Sequence, residues 1–373
     1  MGGEAREAAQ EPQFPLRQIY FYLTGGCNLR CRHCWIEPRF QGEHGPFPAL
    51  DVSLFRSIID QAKDMGLRGV KLTGGEPLIH PRIDEILDSV RHEELALQVE
   101  TNGVECTAHL ARLIASCEDV SVAVSLDAAE AESHDWLRGV HGAFRSAVRG
   151  ISALVGSGIR PQIIMSLLNR NKDQMAAVVR LAESLGASSV KFNIVQPIAR
   201  GERLHRNEEV PSVEEVLRIG RWVERELAPA ASIPLFYSHP PAFRPLSGMF
   251  GESGDGCSRC RVLNLLGVLS DGSYALCGIG ETVPDLVFGR ADRDPLGTVW
   301  DAHPVLLELR AGLPHRLQGA CGRCLMSQLC LGSCIAQNYS LSGHLWGANW
   351  FCEEARDLGL FPESRLKGCA GHE

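Results

Sequence analysis

The sequence predicts an α/β fold followed by a second, metal-organised domain, and three observations predict it. Short apolar runs alternate with amphipathic stretches from about residue 17 to 195; the alternation breaks into Pro- and Gly-rich sequence between about 229 and 256; and nine of the fourteen cysteines stand at or beyond position 257. Strands read as nearly continuous Val, Ile and Leu, and helical connections between such strands favour a parallel sheet or a full or partial barrel. Folds of that kind collect their ligands at the C-terminal ends of the strands.

The strand runs are QIYFYLTG, GVKLTGG, LQVETNG, VSVAVSLD, PQIIMSL and SVKFNIV, with helical patterns between them. Residues 51 to 65 begin with Asp51 in a cap position, carry apolar residues at spacings of three and four, and stop at Gly66. Residues 213 to 227 predict a similar helix. Further on, VLNLLGVLSDGSYAL predicts a hairpin turning at Asp271-Gly272, and GTVWDAHPVLLELR a short strand and an amphipathic helix. The expected organisation is a flexible N-terminus (1–16), a barrel domain (17–228), a connection (229–256) and a cysteine-rich domain (257–373).

Hydrophobic residues make up 45% of the chain and charged residues 22%, an ordinary globular balance. A net charge of -8 with scattered Arg disfavours nucleic acid as a partner. The first sixteen residues lack the apolar core of a secretory signal, and no apolar run reaches membrane-spanning length, so the expectation is a cytoplasmic protein without a membrane partner. In such a chain, metal binding or catalysis accounts for fourteen cysteines better than disulfides do.

Cys27, Cys31 and Cys34 are spaced C-x3-C-x2-C directly after the first strand. Three thiolates are one short of a closed structural site, and such a set leaves one metal position open to a substrate or cofactor. This spacing resembles the radical S-adenosylmethionine (SAM) superfamily. The resemblance implies a partial (β/α)6 barrel with a C-terminal cysteine-rich iron-sulfur domain. It implies a 4Fe-4S cluster on the triad and reductive cleavage of SAM to a 5'-deoxyadenosyl radical that abstracts a substrate hydrogen. Gly74, Gly75, Glu76 and Pro77 match the family's GGEP segment, which holds the methionine amino group. Glu100 and Asn102 after the third strand, and Ser125 and Asp127 after the fourth, resemble positions near the ribose and methionine ends. Arg138 resembles a residue near the cofactor carboxylate, and His33 sits where the family puts an aromatic ring against adenine. No catalytic base is identified.

Downstream, Cys260, Cys277, Cys321, Cys324, Cys330, Cys334 and Cys352 resemble the seven-cysteine SPASM module, and Cys257 supplies an eighth thiolate, the number that closes two 4Fe-4S clusters. The family pattern implies Cys257, Cys260, Cys277 and Cys334 for one cluster and Cys321, Cys324, Cys330 and Cys352 for the other, three clusters in all. A pair of zinc sites is the plain alternative, since CxxC pairs serve zinc equally well. Cys106 and Cys117 read as core thiols, and Cys369 as an exposed tail residue.

Enzymes resembling this one are oxidoreductases that mostly act on peptides or proteins. The favoured reading is a maturase of a ribosomally made peptide (RiPP) that forms a thioether or other crosslink. The alternatives are a formylglycine-generating sulfatase maturase, a small-molecule or haem-precursor enzyme, and, from a different class, a non-catalytic metal-binding scaffold. Against the sulfatase group stands Gly278, where that group resembles a pattern with a basic Asp after the cysteine. The implied partners are a peptide or protein substrate and a low-potential electron donor such as flavodoxin or ferredoxin. The residues before the first strand are too few for a peptide-recognition domain, so leader binding is expected from a separate protein or from the connection around 229 to 256.

Overall fold

The computed structural model describes residues 13–43, 46–251 and 260–368. All six strands expected between residues 17 and 195 are present: β1 (Gln18–Tyr22), β4 (Gly69–Thr73), β5 (Ala96–Thr101), β6 (Ser121–Ser125), β7 (Gln162–Leu167) and β8 (Ser189–Ile194), with β2 (Gly26–Cys27) and β3 (Arg39–Phe40) forming a separate two-stranded pair. Helices α1 (Val52–Lys63), α2 (Ile83–His92), α3 (Ala108–Ala115), α4 (Ala131–Arg138), α5 (Ala143–Gly156), α6 (Met175–Leu185), α7 (Arg200–Arg206) and α8 (Val213–Trp222) alternate with them. The first helix starts where its cap residue directs, because the Asp51 carboxylate accepts from the backbone N–H groups of Ser53 and Leu54. The helix expected over 213–227 is α8, continued through a wider turn at Val223–Leu227.

With β9 (Leu235–Tyr237), β10 (Leu265–Val268), β11 (Ser273–Ala275) and β12 (Val287–Arg290), the main sheet has ten strands among the described residues, in the order β12-β11-β10-β1-β4-β5-β6-β7-β8-β9. All neighbours from β10 to β9 are parallel, and β10, β11 and β12 pair antiparallel. Two of the end strands depart from the expected organisation. β9 (Leu235–Tyr237) arises within the Pro- and Gly-rich stretch read as a connection and pairs with β8. β10 (Leu265–Val268) comes from the cysteine-rich part and pairs in parallel with β1, Gln18 opposite Leu265. The predicted hairpin is β10 and β11 (Ser273–Ala275), and β12 (Val287–Arg290) follows it. The segment read as a short strand and a helix is instead two helices, Leu296–Ala302 and Pro304–Gly312; Pro304 opens the second and His303 is extended between them. A Trp and Val run that would suit a strand is helical here because Leu296, Val299 and Trp300, at helical spacing, are buried together.

Burial explains how the sheet positions a site. Ile19 and Phe21, Val70 and Leu72, Leu97 and Val99, Val122 and Val124, Ile163 and Met165, and Val190 and Phe192 all face the helices and are buried in one core. The residues between them, Tyr20, Lys71, Gln98, Ala123, Ile164 and Lys191, are only partly buried. The strands alternate, and the second face is free to line a cavity.

Candidate active site

One cavity of about 410 Å³ is lined by side chains from β1 through β8, so the sheet curls around it. The Cys27, Cys31 and Cys34 thiols border it at the C-terminal ends of the strands. Pairing of Gly26 with Arg39 and Cys27 with Phe40 closes the cysteine loop at its base. Arg30 and Arg32 donate their backbone N–H groups to the carbonyls of Arg138 and Leu137, tying the loop to the end of α4. Arg200 secures the far side, its guanidinium donating to the carbonyls of Cys31 at 3.3 Å and Pro38 at 3.2 Å.

Each thiol has a donor beside it. The Leu29 N–H lies 3.3 Å from the Cys27 sulfur, with the Asn102 amide at 3.9 Å, and Arg138 reaches Cys31 at 3.5 Å. Burial, and then the neighbouring Cys31, push the Cys27 thiol up. A metal would displace its proton.

Eight of the ten residues expected to hold the cofactor line this cavity: His33, Gly74, Gly75, Glu76, Glu100, Asn102, Ser125 and Arg138. Pro77 and Asp127 do not. Pro77 is buried at the start of a 3-10 turn. Asp127 is fully buried behind the wall, accepting from Arg138 Nε at 2.6 Å and the Ser166 N–H at 2.9 Å, so it positions Arg138 rather than facing the cavity. Glu100 lies in the cavity but is held by Lys71 at 2.7 Å, with the Thr73 hydroxyl at 3.4 Å.

Glu76 is the most constrained of the set. Its carboxylate accepts from the Leu78 N–H at 3.1 Å, the Thr101 hydroxyl at 2.7 Å and the Asn102 N–H at 2.8 Å. Burial pushes its pKa up to about 7 against the pull of these donors. Three donors aimed at one carboxyl suit its ionised form. Gly75 must be glycine, since a Cβ there would stand 1.9 Å from the Gly26 carbonyl oxygen. His33 Nδ1 is buried without a hydrogen-bond partner. Arg200 is not among the residues expected at the site: it opens α7 and belongs to no motif read from the sequence, whereas Thr101 lies in the segment that carries Glu100 and Asn102.

The C-terminal cysteines fall into two sets. Burial raises the Cys277 thiol, and Cys334 and Cys260 raise it further. Cys260 and Cys277 border the same cavity as the N-terminal triad. Cys321, Cys324, Cys330 and Cys352 line a separate small apolar cavity, which Pro240 and Ala242 help to close. Burial and the other three cysteines raise Cys352, while the Asn349 N–H points at the Cys321 sulfur from 3.3 Å. Cys257 and Cys369 lie outside the described residues; Cys106 is buried in the main core and Cys117 packs against it. Among the described residues, no three Cys, His, Asp or Glu side chains are grouped so as to hold one metal ion.

Residues 21–182 match the Radical SAM superfamily. The chain carries a radical SAM domain. Over 347 residues it is 28% identical to the AdoMet-dependent heme synthase of Methanosarcina barkeri, with 90% of this chain and 96% of that protein covered. It is also 28% identical over 323 residues to the mycofactocin maturase MftC of Mycobacterium tuberculosis, covering 85% and 78%. Streptococcus suis SuiB, solved bound to the precursor peptide SuiA, shares the fold with a TM-score of 0.70 at 18% identity, over 91% of this chain and 76% of that one. A radical SAM domain implies SAM and a 4Fe-4S cluster as cofactors. No helix among the described residues is long and apolar enough to cross a membrane.

Proposed function

We propose that this radical SAM protein matures a ribosomally made peptide, forming a thioether or other crosslink. The observation that carries the reading is the cavity shared by the cysteine triad, Glu76, Cys260 and Cys277. Similarity to a maturase supports a peptide substrate. So does a second cavity of about 470 Å³, lined along β9 by Leu235, Phe236 and Tyr237, which shares the Lys191 side chain with the first and offers room for an extended chain.

The residues fit the implied cofactors. Cys27, Cys31 and Cys34 would hold three of the four irons of one 4Fe-4S cluster, one thiolate to each, leaving the fourth open. Glu76, with one acceptor position left, would take the SAM ammonium, and Arg138 would face its carboxylate. Asn102 and Ser125 would meet the ribose and methionine ends, and the buried, unpartnered His33 would lie against adenine. When bound, the two cofactors supply one-electron reduction and hydrogen-atom abstraction, which side chains alone do not. The protein's own part is to keep the thiols converged, to place Glu76 beside the ammonium and Arg138 beside the carboxylate of the methionine end of SAM, and to seal the cavity.

Two further 4Fe-4S clusters belong to a SPASM module over 257–352, one on Cys257, Cys260, Cys277 and Cys334, the other on Cys321, Cys324, Cys330 and Cys352. The electron donor would be a low-potential flavodoxin or ferredoxin of the cytoplasm, and the outer pocket beside Cys31, lined by Arg30, Arg32, Arg200 and Arg203 together with Glu37, Glu43 and Glu209, is a mixed-charge surface where it could dock. The test is anaerobic reconstitution with iron and sulfide, followed by incubation with SAM, reductant and a candidate precursor peptide. Formation of 5'-deoxyadenosine together with loss of hydrogen from the peptide is expected. Cleavage of SAM with no peptide product, but with conversion of a haem precursor, would overturn the peptide reading.

A further inference from the structure

The inner face of the sheet carries more positive charge than its own carboxylates satisfy. Lys71 is bonded to Glu100 at 2.7 Å and lies 4.3 Å from the centre of the Tyr20 ring. Arg138 is neutralised by Asp127, and Arg200 spends its donors on two carbonyls. Lys191 is different. Among the described residues its ammonium has neither a hydrogen bond nor an ion pair, and the carboxylate that it senses, Glu100, is already bonded to Lys71.

An unpaired ammonium in a cavity wall is costly and is retained where something supplies the missing charge. Burial holds Lys191 below the usual lysine pKa, Glu100 opposes this, and Lys71 adds to it. Two residues along the same face of β8 stands Asn193, about 7 Å away along the strand. Its amide oxygen accepts from the Ser238 hydroxyl at 3.1 Å, which leaves the amide nitrogen as a donor. An ammonium and an amide N–H presented on one face of a strand are donors of the kind that a carboxylate accepts. Lys191 also borders both cavities, so a group bound there sits where an entering chain would pass.

We propose that Lys191 and Asn193 form a carboxylate-binding site inside the barrel that receives an acidic side chain or the C-terminal carboxylate of the substrate. The source of that carboxylate rests on the peptide reading above; the site itself does not.

The test uses the full chain, reconstituted and loaded with SAM. Two synthetic peptide pools are offered, one randomised with Asp and Glu, the other with Asn and Gln at the same positions, and retained peptides are read by mass spectrometry. Acidic peptides are expected to be held about tenfold better, the size of one charge-assisted hydrogen bond. Lys191→Gln should remove the preference and Lys191→Arg keep most of it. In parallel, acetylation of Lys191 is followed with and without glutarate, a small dicarboxylate. Shielding of Lys191 by acidic peptides supports the proposal. Shielding by glutarate with no peptide retained supports the carboxylate site and overturns the peptide reading. Equal retention of both pools, or no shielding by either probe, overturns the site. Because Lys191→Gln removes a charge without a partner, it should unfold no earlier than wild type; a lower midpoint would show that Lys191 serves the sheet instead, and would also overturn the proposal.

Discussion

Arg138 joins Asp127 to Cys31: its Nε donates to the buried carboxylate at 2.6 Å, and a terminal nitrogen lies 3.5 Å from the thiol. The pair is 7% and 0% exposed, so neither charge can turn to water when the other is removed. Arg138→Met is therefore expected to cost about 3–5 kcal/mol in denaturant unfolding, and the double change with Asp127→Asn to recover part of it.

The same pair sets an acid limit. Burial alone would raise the Asp127 carboxyl, but Arg138, His33 and His134 outweigh it and hold it below the usual value. A depressed folded pKa gives stability that is present above the unfolded value of about 3.9 and is lost as pH falls through the folded one. Wild type should lose stability more steeply than the Asp127→Asn, Arg138→Met double variant when unfolding is followed downward from pH 4.

Glu76 acts in the opposite sense. Its pKa is raised from 4.5 to about 7, so in the SAM-free protein its contribution to stability is full below pH 4.5 and is lost as pH rises through 7. Binding an ammonium needs the ionised carboxylate, so SAM affinity should fall as pH drops below about 7. Glu76→Gln should bind SAM at least about tenfold more weakly, with a flat pH profile, in equilibrium dialysis.

Iron content checks the cysteine sets. About twelve irons per chain are expected from three clusters. Replacing Cys27, Cys31 and Cys34 by Ala should remove a third of them and abolish SAM cleavage. Cys352→Ala should also remove about four while some uncoupled 5'-deoxyadenosine is still formed. Wild-type turnover of peptide by a folded Cys352→Ala protein would show that set to be dispensable.

Gly278 and Tyr22 test why the sulfatase-type aspartate is missing. The Gly278 N–H donates to the Tyr22 phenol, and a Cβ on Gly278 would stand 2.1 Å from the tyrosine ring. Gly278→Asp should cost about 1–3 kcal/mol by overpacking, and Tyr22→Ala in the same chain should relieve part of that cost.

Much of this was legible. The six barrel strands announced themselves through β-branched and apolar runs, and the structure puts Cys321, Cys324, Cys330 and Cys352 around one cavity and Cys260 and Cys277 on another. What was not legible lay where the signal is relational. β9 is three residues in a Pro-rich stretch, too short for a pattern, and exists because β8 offers it an edge. The strand runs read as apolar on both faces, yet Lys71, Glu100 and Lys191 punctuate the inner one; single polar residues there look like surface until the sheet curls. Asp127 was expected at the cofactor because it ends a strand, but its charge is consumed by Arg138, a partner that no local spacing reveals.

The parallel pairing of Gln18 with Leu265 has a consequence for how the protein is made. β1 leaves the ribosome long before β10 and waits for that neighbour until the cysteine-rich part has been synthesised, a contact of very long sequence separation that slows completion of the sheet. In that interval β1 presents a bare edge, an invitation to pair with another nascent chain. A truncation ending before β10 should therefore aggregate rather than yield a smaller soluble barrel, and expression should favour slow synthesis at low temperature.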